Sequence, residues 1–187
     1  MKYFDRILEP TENFGDRLQE PELLPSAIGN VSITFAELED KLAESIALLL
    51  STRRETAALV TAEQSFKNKV HLLASLVRQL APSTSFNCGQ HDPNDVFSEL
   101  AALCFTVEEK RNRILHSSWK ADSNDPTRAQ RKKTTAKARI GLRINNEEVD
   151  IGYIFYLTDI TITVLTYLDD FFLDVIPCCQ HFKGETE

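Results

Sequence analysis

Apolar residues recur at intervals of three and four through most of the chain, the period expected of helices packed on one side. One stripe consists of Phe35, Leu38, Leu42, Ile46 and Leu49. Thr34, with Glu37 three residues later, reads as a capping box that opens this helix. A second box, Thr61 with Gln64, precedes the stripe Phe66, Val70, Leu73, Val77 and Leu80, which ends before Pro82. Residues 54–60 suit a short helix between the two. Asn94 reads as the cap of a third long helix, residues 94–119, with Val96, Leu100, Leu103, Val107 and Ile114 on one narrow stripe. Arg111 falls at the edge of that stripe, whereas Phe105, Asn112 and His116 share the opposite face. Residues 160–164 alternate like a strand. However, Leu157, Ile160, Val164, Leu168 and Phe171 keep helical spacing over a length no ordinary strand reaches, so residues 153–175 are predicted helical, with Pro177 as the stop.

The connecting stretches read differently. Residues 1–32 carry Pro10, Pro21, Pro25, Gly15 and Gly29 without a sustained period, which predicts an arm of loops and short turns. Residues 81–94 form a loop whose length would suit a lid or a plain connection. Beyond Trp119, a Ser-Asn-Asp-Pro turn and β-favouring residues around Ile144 predict a small hairpin. The expected fold is an all-α, four-to-five-helix up-and-down bundle occupying residues 33–187, with the β-hairpin inserted before the last long helix and no internal repeat.

Composition narrows the class. With 187 residues, 42% hydrophobic and 26% charged, the chain is long enough to bury a core without disulfide or metal staples. Neither end carries an uninterrupted apolar run of membrane-spanning length, and three acids before position 13 rule against a secretory signal, so a cytoplasmic, membrane-free protein is expected. Cys88, Cys104, Cys178 and Cys179 lack regular spacing and are expected reduced. The net charge of −7 argues against a general nucleic-acid binder, but it is unevenly spread: residues 120–143 carry +6 and the remainder −13. Lys120, Arg128, Arg131, Lys132 and Lys133 are therefore either a solvated basic segment or a patch for phosphate.

Candidate chemistry concentrates at the end of the 94–119 helix, in Arg111-Asn112-Arg113-Ile114-Leu115-His116. An Arg followed by Asn and, five residues on, by His in a small helical bundle resembles the HEPN superfamily, whose motif is Arg, four to six residues, then His. The resemblance covers the architecture from Thr34 onward and six positions of motif. It implies a symmetric dimer in which two copies of this helix meet and cut RNA without metal or other cofactor. Arg111, His116 and Asn112 would be catalytic. RNA supplies its own 2′-hydroxyl nucleophile, so a proton-transfer group and a phosphate holder suffice. Histidine fits the first role with an unperturbed pKa near ~6.5, and the permanently charged fork of arginine fits the second.

Small members of this family resemble toxins of toxin–antitoxin pairs or phage-defence effectors, which implies a neutralising protein partner. The alternative within the resemblance is a non-catalytic nucleotide- or protein-binding dimerisation module; outside it, a helical scaffold. Arg111 and His116 lie about 140° apart on an ideal helix, so a partner helix or fraying past Leu115 is needed to bring them together. Otherwise Arg111 would pair with an acid of the first helix, Glu39 being nearest its stripe. Other candidates are weaker. Cys178, Cys179 and His181 make a poor tetrahedral set, and no metal is expected. His71 reads as a boundary residue and His91 as a loop residue, while Trp119 either closes the bundle end or stacks a base.

Overall fold

The computed structural model describes residues 23–80, 92–137 and 141–175. In chain order these form α1 (Leu23–Leu49), α2 (Arg54–Thr61), α3 (Phe66–Leu80), α4 (Pro93–Leu115), β1 (Ser118–Ala121), β2 (Arg128–Lys137), β3 (Gly141–Asp150) and α5 (Ile151–Val175). Contacts between elements set their directions. Arg54 pairs with Glu44 at 2.8 Å, so α2 folds back along the end of α1. α3 then runs beside α1, with Phe66 on Phe35 at 4.6 Å and Lys69 on Glu39 at 3.4 Å. Phe97 near the start of α4 meets Phe171 and Phe172 near the end of α5, while Lys41 pairs with Asp169. Thus α1, α3 and α5 point one way and α2 and α4 the other, the expected up-and-down order.

Two apolar clusters fill this frame. The upper one joins Leu38, Leu42 and Ile46 of α1, Val70 and Leu73 of α3, Leu100, Leu103 and Val107 of α4, and Val164 and Leu168 of α5. The lower one joins Leu23, Ala27 and Val31 of α1, Ile114, Ala129, Val149, Ile151 and Leu157. This lower core is what attaches the sheet to the bundle.

Several expectations change at the ends of elements. Residues 23–32 are not part of a loop arm: α1 begins at Leu23, eleven residues before Thr34, because Leu23, Ala27, Val31 and Phe35 continue its buried stripe. Thr34 and Thr61 do not cap helices. Thr34 sits inside α1 and Thr61 is the last residue of α2, each donating its hydroxyl to the carbonyl four residues back, Asn30 and Ala57 respectively. α4 is capped by Asp92, whose Oδ1 accepts from Asn94 N at 2.8 Å, and not by Asn94 itself. It ends at Leu115, so Trp119 belongs to β1; its indole Nε1 donates to Ile114 O at 2.8 Å and closes the helix end.

The hairpin is larger than predicted. β1, β2 and β3 form an antiparallel sheet in that order, with Trp119 opposite Arg131 and Arg131 opposite Glu147. β3 passes directly into α5, where Asp150 accepts from Gly152 N at 2.7 Å as the cap. α5 is long and apolar enough to cross a membrane by length and composition, with 44% of its most apolar window buried. Its buried stripe lines both core clusters. The 81–91 part of the loop considered as a lid, and Cys88, His91, Pro177, Cys178, Cys179 and His181, lie outside the described residues.

Candidate functional site

Arg111 points into the bundle. On α4, Phe97, Ala101 and Cys104 are buried together with Leu100, Leu103, Val107 and Ile114, so the buried arc is broader than the narrow stripe and Arg111 lies near its middle. Its guanidinium sits 4.7 Å from the centre of the Phe35 ring, a cation–π arrangement at the level where the two core clusters meet. Nη1 donates to Asn112 Oδ1 at 2.9 Å, and the buried Nε has no hydrogen-bond partner. Among the described residues no carboxylate lies within ion-pair distance of Arg111; Glu39, the acid considered for it, pairs with Lys69 instead.

Glu108, one turn before Arg111, belongs to the same polar group. Burial pushes its carboxyl above the ordinary glutamate value and the charge on Glu39 adds to this, while Lys67 and Arg111 pull it back. Glu39, Lys67, Lys69, Glu108 and Arg111 therefore form a mixed-charge group where α1, α3 and α4 meet.

His116 lies elsewhere. It is the C-terminal cap of α4, exposed, with its backbone N–H on Asn112 O at 3.1 Å. The structure brings Arg111 and Asn112 together but not Arg111 and His116, which leave the helix in directions about 140° apart. The polar back of α4 does not form one patch either: Phe105 is half-buried, 5.2 Å from the His71 ring, and Asn112 is turned to Arg111. Arg113, three residues before His116 and on the same side of the helix, is exposed and paired with Glu109.

Strand pairing divides the basic residues between the two faces of the sheet. Lys120, Arg128 and Lys132 share the outer face, whereas Arg131 and Lys133 lie on the face that carries Trp119, Ala129 and Val149. Arg128 is tied to Glu148 and Asp125, and Arg131 to Glu147, so two of the five predicted phosphate ligands already hold carboxylates. Lys120, Lys132 and Lys133 have no ion pair among the described residues. Lys120 lies on β1, which begins just beyond His116, and Lys132 lies on β2 directly opposite Ser118.

A cleft of about 270 Å³ that the sequence did not suggest opens between α4, the sheet and α5. Lys110, Arg113, Arg131 and Tyr153 line it, together with Glu147, Glu148 and Asp150. Lys110 Nζ donates to Tyr153 Oη at 3.0 Å. The spacing of Lys110 and Arg113 was its one sequence signal, since residues three apart share a helix side. A second cleft, of about 240 Å³, lies between α3 and α4 and includes His71, Arg78 and Asn94. No group of three or more His, Cys, Asp or Glu side chains suited to a metal occurs among the described residues. No family model matches the chain, and no curated protein or solved structure matches it.

Proposed function

We propose that the chain is a metal-independent endoribonuclease of HEPN type, with its site on the C-terminal half of α4. The observation that carries this reading is that Arg111 has no carboxylate partner within ion-pair distance among the described residues, is held in place by Asn112 and Phe35, and shares its helix with an exposed His116. A positioned guanidinium left without an ion pair is suited to a phosphate oxygen as negative charge builds on it. In the reaction His116 takes the proton from a 2′-hydroxyl, the oxygen attacks the adjacent phosphorus, and the P–O5′ bond breaks with the leaving 5′-oxygen taking a proton from water, giving a 2′,3′-cyclic phosphate. Because Arg111 and His116 diverge on one helix, Arg111 of one copy works with His116 of a second in a homodimer. Lys120 and Lys132, beside His116, guide the RNA. The cellular role that accords with this activity is that of a cytoplasmic toxin or phage-defence effector, restrained by a protein partner.

A second reading, a non-catalytic nucleotide- or protein-binding dimerisation module, is favoured by the inward position of Arg111 over Phe35. Cleavage of a labelled mixed-sequence RNA in excess EDTA separates the two, with matching DNA as control. The variants are His116→Ala and Arg111→Met, the latter keeping an apolar stem over Phe35 while removing the charge. Cutting of RNA alone by the wild type, reduced at least about a hundredfold in both folded variants, is the expected result for a general base working with a phosphate-stabilising arginine. No cutting by folded wild type sinks the ribonuclease reading and leaves the binding module.

A further inference from the structure

β3 is an edge strand. It pairs with β2 on one side along its whole length, Gly141 opposite Lys137 through Asp150 opposite Arg128, without a bulge. Its other side carries no strand among the described residues, and Gly141 through Glu148 are exposed. A flat edge ten residues long is a template for another strand, and proteins that avoid such pairing shorten the edge, bend it or place a proline or lysine on it. β3, Gly-Leu-Arg-Ile-Asn-Asn-Glu-Glu-Val-Asp, is neither short nor bulged and has no proline or lysine; the one protective device it carries is charge, on Arg143, Glu147, Glu148 and Asp150. Those charges also select the partner.

We propose that β3 pairs antiparallel with β3 of a second copy of this chain, about a two-fold axis at Asn145, joining two three-stranded sheets into one of six strands. In an antiparallel pair related by a two-fold axis one residue must face its own copy, because directly opposed side chains lie on the same face. With Asn145 in that position, Arg143 faces the partner's Glu147 and Glu147 faces the partner's Arg143, so one register gives two opposite-charge pairs. A shift of the axis to Ile144 or Asn146 gives neither. Arg143 has no ion pair among the described residues, and Glu147 is held toward this face by Arg131 on the neighbouring strand.

The opposite face agrees. Ile144, 49% exposed, becomes a diagonal neighbour of the partner's Ile144 across the axis, covering apolar surface that a single copy leaves in water. Sterics allow it too: each bundle joins its β3 at Asp150, five residues from the axis, so the two attachment points stand about 34 Å apart. The two-fold axis runs perpendicular to the sheet, so Lys120, Arg128 and Lys132 of both copies occupy one continuous outer face. The pairing makes no use of α4 and does not depend on the ribonuclease reading.

Sedimentation of the full chain across a concentration series tests this, using Arg143→Glu, Glu147→Arg and Ile144→Lys. Wild type is expected to associate through this edge into a dimer, or into a larger oligomer where α4 pairs as well. Either charge reversal sets like charges opposite each other twice and weakens self-association by about tenfold or more. Ile144→Lys weakens it from the other face and leaves the Arg131–Glu147 pair intact. Mixed in equal amounts, Arg143→Glu and Glu147→Arg regain opposite charges at both positions and form a heterodimer of wild-type strength. A wild type that stays monomeric to about 0.1 mM overturns the proposal. Folded single variants that associate like wild type, or a mixture that gains nothing over its components, also overturn it.

Discussion

Arg111 shows how one side chain can be misplaced by a sound periodicity. Five apolar residues of α4 define a stripe whose edge passes through Arg111, yet the helix also buries Phe97, Ala101 and Cys104 on one flank. That flank is covered by both neighbours, Phe97 meeting Phe171 and Phe172 of α5 and the adjoining Phe105 meeting His71 of α3, tertiary contacts with no local signature. Asn112 as the neighbour of Arg111 was legible in the sequence; Phe35 beneath the guanidinium was not, because the two residues are 76 positions apart. Glu108 provides a test at this scale. Its folded pKa is raised, so the native state binds that proton more tightly than the unfolded chain does. Stability from this group is therefore greatest below the ordinary glutamate value and falls as pH rises through the higher folded value. Glu108→Gln removes the dependence: its melting temperature should exceed wild type at pH 7, and the advantage should vanish near pH 4. A gap between the two proteins that does not change with pH would show that burial of the Glu108 charge is not what sets it.

Elements were legible in their middles and less so at their ends. Every predicted long helix exists, because stripes such as Leu38-Leu42-Ile46 extend over many turns and average out local noise. Caps rest on a few residues, and both threonines proved to belong to the helix before them or around them, Thr34 inside α1 and Thr61 at the end of α2, bonded back to the preceding turn. Pro25 and Gly29 hid the part of α1 that precedes Thr34 although Leu23, Ala27 and Val31 were in phase with it. The sheet was faint because alternation needs a buried face, and in β2 and β3 Ala129 and Val149 are the residues that supply one. Substitutions distinguish the two accounts. Thr34→Val would cost roughly 1–2 kcal/mol at a helix cap. Inside α1, where only a hydroxyl bonded to an already satisfied carbonyl is lost, the change should stay within about 0.5 kcal/mol. At the start of α4 the order reverses: Asp92→Ala should cost about 1 kcal/mol and Asn94→Ala clearly less. Urea unfolding of the three variants measures this directly.

For the whole molecule the question is whether the lower core, which carries the sheet, and the upper core of the bundle open separately or together. α1, α4 and α5 each run through both clusters without a break, Val31 and Phe35 of α1 lying one turn apart on opposite sides of the division. A helix severed at that level would lose backbone bonds on both sides, so the two cores should unfold as one unit. Cys104 reports on the upper cluster. It is a buried free thiol whose pKa burial pushes up to about 12, so it reacts only when the bundle opens. Ile114 lies in the lower cluster, ten residues further along α4, about 15 Å away. Ile114→Ala should remove about 2–5 kcal/mol of stability. If the cores are coupled, alkylation at Cys104, followed on its own peptide by mass spectrometry, should accelerate at least about tenfold in that variant, since 1.4 kcal/mol is a factor of about ten in the open population. An unchanged Cys104 rate in a destabilised Ile114→Ala protein would mean that the sheet and lower core detach on their own. Residues 23–31 and the sheet would then form a separate module resting on the bundle, and helix continuity through Arg111 would not be what transmits stability along α4.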